Sequence, residues 1–158
     1  MNLITATIGA MAVSNKKGDT IVTYSLGSCL GLALYDKVHK IGGILHAMLP
    51  DNSIVPYDKN RCKFVNSGIV ELVNELCRMG AAVPNMIADI AGCSHIMDDN
   101  NIFKIGERNL KMAKTILRKF SIPIRTEEVG GTASRTIYLE IATGRFTIDM
   151  MGQKRVVD

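Results

Sequence analysis

Apolar residues recur along this chain at two spacings. Short apolar runs separated by glycine and polar turns cover residues 6–13, 21–26, 29–36, 41–49, 85–91, 122–128, 135–141 and 145–150. Such runs predict strands. The last two flank Thr143-Gly144, which predicts a hairpin. Two other stretches have helical period. In 61–79 the residues Phe64, Val65, Ile69, Leu72, Val73, Leu76 and Cys77 fall at three- and four-residue steps, and Gly80 stands where a helix should stop. In 106–120 the residues Leu110, Ala113, Ile116, Leu117 and Phe120 form a second stripe, opposite Lys111, Lys114, Arg118 and Lys119. The basic side reads as a solvated helix face. Many strands with two amphipathic helices predict an α+β fold, with the helices packed outside a sheet core.

Composition narrows the class. The chain has 158 residues, with no linker, repeat or low-complexity tract, and is expected to form one domain over 1–158. The net charge of +4 is evenly spread, with 8 basic and 6 acidic residues in 1–80 and 11 and 9 in 81–158. An even spread argues against a nucleic-acid partner. The apolar runs are too short to span a bilayer, and no secretory leader pattern opens the sequence, so no membrane insertion is expected. The four cysteines are widely spaced, which predicts reduced thiols in the cytoplasm. Cys93-Ser94-His95 has the residue types of half a metal site, but Cys62 and Cys77 lie too far off for zinc-ligand spacing, and no metal or cofactor is expected. Cys77 reads as core.

The candidate chemistry lies in residues 20–50. If 29–36 and 41–49 form a hairpin over Lys37-Val38-His39-Lys40, with Asp36 opposite Ile41, then Cys29 falls opposite Met48 and His46 opposite Gly31. Cys29 and His46 then share a face, roughly 7–8 Å apart at the backbone. The other face collects Leu30, Leu32, Leu34, Leu45 and Ala47, a natural core. Small residues beside Cys29 leave volume for another chain or a substrate. Cys29 follows Gly27-Ser28; Gly27 can take positive φ, and N–H groups of such a turn can hold an oxyanion. His46 can keep the thiol ionised and later protonate a leaving amine. Thr23 can fix the ring through its hydroxyl or its carbonyl.

Thr-Tyr-Ser-Leu-Gly-Ser-Cys ending at Cys29, with Gly-Gly-Ile-Leu-His-Ala-Met-Leu-Pro around His46, resembles the CheD family of chemoreceptor glutamine deamidases. Ile105-Gly106-Glu107-Arg108-Asn109 resembles the family's I-G-x-R-N helix start, and Gly130-Gly131 with Arg135 resembles its G-G-x-x-x-R stretch. The resemblance implies a mixed β-sandwich with outer helices, related to deamidating bacterial toxins. It implies hydrolysis of glutamine side chains on the cytoplasmic helices of chemoreceptors, with Cys29 as nucleophile, His46 as base and acid, and Thr23 as the orienting third member. It also implies a CheC-type phosphatase as partner, and leaves a non-catalytic module regulating that phosphatase as the alternative. One departure stands out: Gly92-Cys93-Ser94-His95-Ile96-Met97 occupies the place of the family's common G-G-A and aromatic segment.

Overall fold

The structure is a computed structural model that describes residues 2–95 and 104–158. In chain order it contains β1 (Asn2–Thr5), β2 (Ala10–Ser14), β3 (Asp19–Leu26), β4 (Leu30–Asp36), β5 (Ile41–Ala47), α1 (Val65–Arg78), β6 (Met86–Gly92), α2 (Ile105–Lys119), β7 (Ile124–Val129), β8 (Arg135–Glu140), β9 (Phe146–Met150) and β10 (Gln153–Val157). Two five-stranded mixed sheets form, one ordered β1-β3-β8-β9-β10 and the other β2-β5-β4-β6-β7. The α+β class predicted from the sequence holds.

The layering follows from alternation in β4 and β5, whose residues are buried on both faces. Leu30, Leu32, Leu34, Leu45 and Ala47 pack under Ile69, Leu72 and Leu76 of α1 and Ala113 and Leu117 of α2. Ala33, Tyr35 and Ile44 point the other way, against Ile21, Leu26, Ile137, Leu139 and Phe146 of the first sheet. Helices, second sheet and first sheet are therefore stacked, and β8 buries only alternate residues because its far side faces solvent. The small-residue face predicted to leave room for a ligand is the sandwich interior. A Cβ on Gly31 would lie 2.5 Å from Leu26 Cδ1 and 2.9 Å from Ile137 Cδ1, so the opposing sheet takes that space.

The segment predicted as one strand over 6–13 is broken at Thr7-Ile8-Gly9, with Gly9 at φ 74°. Ala6 N–H donates to Val22 O in the first sheet, whereas β2 pairs with β5 in the second. The strands at both ends were not predicted: β1 and β10 are edge strands, almost wholly exposed, without apolar alternation. Cys77 is exposed on α1, at the margin of the stripe, and is not core.

The β4–β5 hairpin keeps the predicted register, from Asp36↔Ile41 to Leu30↔Ala47. Buried Asp36 fixes its tip by accepting from the N–H groups of Val38, His39 and Ala82 and bonding the His39 ring at 2.8 Å. Asp36→Ala orphans three backbone donors. It is expected to cost about 2–4 kcal/mol in a urea unfolding titration; a loss under about 0.5 kcal/mol, the size of a surface substitution, would refute this account.

Candidate active site

Thr23 and His46 come together across the sandwich, and Cys29 lies on the loop that joins the two sheets. β3 carries Thr23 on the inner face of the first sheet, fully buried, and β5 carries His46 on the inner face of the second. The two side chains meet across the sandwich, with Thr23 Oγ1 2.7 Å from His46 Nδ1. Between them in sequence, the chain changes sheets. A bulge after Thr23 shifts the β3–β8 register, Ser25 takes φ 56°, and Gly27-Ser28-Cys29 carries the chain over to β4. Positive φ thus falls at Ser25 and not at the predicted Gly27. Cys29 lies one residue before β4, half-buried, with its thiol free and packed beside the inner cluster.

The Thr23–His46 contact fixes the ring's proton. Thr23 Oγ1 also lies 2.6 Å from Ala6 O, which can only accept. The single hydroxyl proton goes there, so Oγ1 accepts from Nδ1–H. This assignment leaves a lone pair on Nε2. Nε2 is buried and has no hydrogen-bond partner among the described residues. The ring is held at its backbone too, since Gly9 N–H donates to His46 O at 2.8 Å and β5 is paired on both sides.

Burial sets the charge states. It pushes His46 down to about 4. It pushes the Cys29 thiol up, an effect only partly offset by its own backbone N–H. Both groups are neutral at pH 7, in place of the standing ion pair expected from the sequence. A neutral imidazole with a bare, desolvated Nε2 is equipped to take a proton during a reaction.

The crossover loop is tied down through its carbonyls. Gly27 O accepts from Ser94 N–H, Ser28 O from Asn109 Nδ2, and Cys29 O from Cys93 N–H. Peptide planarity sets the Ser28 N–H anti to the Gly27 carbonyl and the Cys29 N–H anti to the Ser28 carbonyl. Gly92 follows the same fit: it has φ 97°, and a Cβ there would collide with Cys29 O. Cys93 is 2% exposed, and burial pushes its thiol up to about 12. Ile96 and Met97, the end of the departing segment, lie outside the described residues. A cleft of about 460 Å³ under β9 and β10, lined by Glu128, Ile148, Met150 and Met151, touches none of the three candidate residues.

Two contributors have no role in the reading of the sequence, although Asn109 stands in the I-G-x-R-N helix start. Ala6 offers only a carbonyl, which carries no side-chain signal. Asn109 does carry one: it lies four residues before Ala113, a polar residue on the buried stripe of α2.

A two-sheet α+β sandwich with a Thr–His pair buried between its sheets and a half-buried cysteine on the loop that crosses from one sheet to the other defines a class of fold and site. The chain belongs to the CheD family of chemotactic sensory transduction, which matches residues 48–150. It is 39% identical over 157 residues to a probable chemoreceptor glutamine deamidase CheD 1 of Syntrophus aciditrophicus, covering 96% of each chain. It is 38% identical over 153 residues to a probable chemoreceptor glutamine deamidase CheD of Pyrococcus horikoshii, covering 96% of this chain and 94% of that one. Among solved structures, the YfiH protein of Bacillus licheniformis shares the fold with a TM-score of 0.51 at 15% identity, over 76% of this chain and 51% of that one. No helix among the described residues is long and apolar enough to cross a membrane.

Proposed function

We propose that the chain, acting as one domain in the cytoplasm, hydrolyses side-chain amides of particular glutamines on the cytoplasmic helices of chemoreceptors. The products are glutamate and ammonia. The observation that carries this reading is the Nε2 of His46, buried and unpaired among the described residues, on a ring held by Thr23 of the strand that leads into the Cys29 loop. The names of the full-length relatives support the same substrate.

In this mechanism Nε2 takes the thiol proton as sulfur bonds to the amide carbon. The carbonyl electron pair moves to oxygen, which the N–H groups of Ser28 and Cys29 face, Gly27-Ser28 serving as the turn that presents them. The imidazolium is strongly acidic because burial disfavours it, so it gives the proton to the departing nitrogen and ammonia leaves. Water then attacks the thioester, with its proton passing to Nε2. Collapse releases the carboxyl group and returns the proton to sulfur. No metal or cofactor enters any step. A CheC-type phosphatase is the proposed protein partner.

The test is mass spectrometry of receptor fragments co-expressed with the protein. A gain of 1 Da at individual glutamines is expected; unmodified glutamines throughout would end the proposal. Thr23→Val removes the oxygen that accepts Nδ1–H while nearly keeping the volume. It is expected to lower the deamidation rate on the order of 10²-fold, with Cys29 still present to alkylate. An unchanged rate would remove Thr23 from the machinery.

A further inference from the structure

The β4–β5 ladder stops at Leu30↔Ala47. The next pair in that register is Cys29 and Met48, but Met48 N–H turns away and donates to Lys63 O at 2.8 Å, as Leu49 N–H does at 3.1 Å. The two strands therefore part at the point where one delivers the candidate thiol and the other has just delivered the imidazole. Something else must hold the parted ends at a fixed separation.

The side chain of Asn109 spans that gap. Its Nδ2 donates to Ser28 O at 3.0 Å and to Met48 O at 3.1 Å, so both amide hydrogens are used, one on each strand end. A flipped amide would set oxygen against two carbonyls, which fixes the orientation. Asn109 is fully buried. Its Oδ1 is buried too and has no partner among the described residues, so satisfaction of its own hydrogen bonds does not account for the residue. The helix that carries it is fitted to the same loop. One turn earlier, a Cβ on Gly106 would lie 2.5 Å from Cys93 O and 2.8 Å from Ser94 O, and Cys93 and Ser94 bond the carbonyls of Cys29 and Gly27. The first turn of α2 thus packs directly on the backbone that brackets the loop.

We infer that Asn109 is a positioning residue. Its amide replaces the missing rung between the parted ends of β4 and β5 and sets the distance between the Cys29 thiol and the His46 ring. This rests on the reading that those two groups react together. An amide is suited to the task because it is planar and offers two donors at a fixed angle to two carbonyl acceptors. A displacement of about 1 Å at a reacting centre can cost about 10²-fold in rate.

The experiment is a double-substitution cycle read by alkylation of Cys29 with iodoacetamide, using the full chain and needing no receptor substrate. Asn109→Ala and His46→Ala are each expected to slow alkylation at pH 7 on the order of 10-fold or more. The pair together is expected to be no slower than His46→Ala alone, because without the ring there is no distance left to set. If the two effects multiply, Asn109 acts on the loop independently of the ring and the inference falls. Asn109→Ser, which keeps one donor, serves where the alanine variant does not fold; it is expected to show the same non-additivity, and multiplicative effects there overturn the inference equally. On glutaminyl substrate, kcat is expected to fall about 10²-fold with little change in KM. Coupled alkylation without ammonia release by the wild type would leave this inference standing while ending the deamidase reading.

Discussion

Cys29→Ala is expected to lower ammonia release from receptor fragments at least ~10³-fold, to the background of the buffer, because the covalent route has no substitute. Water can cleave the thioester, but an amide is a far poorer electrophile, so without sulfur the reaction loses the step that converts the one into the other. Cys29→Ser should fail almost as badly. A serine hydroxyl gives up its proton far less readily than a thiol and is the poorer nucleophile toward an amide, and the imidazole that burial has pushed down to about 4 offers it only a weak base. Neither substitution should unfold the protein, since Cys29 is only half-buried and lies outside the ladder. The measurement is ammonia release from purified receptor fragment, beside a melting curve for each variant. Equal release by wild type and Cys29→Ala would leave the enzyme reading without its nucleophile, and the non-catalytic alternative would take its place.

The hairpin was legible in the sequence because two local features agree on it. Apolar alternation and the polar tip at Lys37-Val38-His39-Lys40 both set Asp36 against Ile41, and a slip of one residue would put Leu45 and Ala47 of β5 on the opposite face from Leu30, Leu32 and Leu34 of β4. Its small-residue face was legible only as small. What fills it is Leu26 and Ile137, and Ile137 is more than a hundred residues from Gly31 in sequence. Thr23 was legible by type, but its contact with His46 depends on two sheets facing each other, which no local spacing encodes. The hydroxyl's second bond, to Ala6 O, depends on the break at Thr7-Ile8-Gly9, where the sequence suggested an unbroken strand. That break lets one segment serve both sheets: Ala6 orients the hydroxyl from the first, and Gly9 holds the histidine backbone in the second. The charge state of the pair is not legible locally for a related reason. Burial of the ring is a property of the stacked sheets, and burial is what favours the neutral form.

His46→Asn tests that charge state from two sides. Asparagine keeps a nitrogen donor near the place of Nδ1, so the bond to Thr23 Oγ1 survives, while the proton acceptor at Nε2 is lost. Deamidation is expected to fall between about 10² and 10⁴-fold, the range for loss of a general base. The same substitution should change how stability depends on pH. In the unfolded chain the ring titrates near 6.5, and in the folded protein burial pushes it down to about 4. Below 6.5 the unfolded state therefore binds a proton that the folded state does not, and stability falls as pH falls. For the wild type this linkage removes about 2 kcal/mol by pH 5 and about 3 kcal/mol by pH 4, relative to pH 8. Buried carboxylates such as Asp36, whose hydrogen bonds hold it below the usual range despite burial, add to the loss mainly below pH 5. His46→Asn lacks the histidine component, so its urea-unfolding free energy should stay nearly flat from pH 8 to 5, where the wild type declines. Parallel curves for the two proteins would mean that the ring titrates normally in the folded state. It would then be partly protonated near neutral pH, and the neutral thiol–imidazole pair on which the mechanism depends would have to be given up.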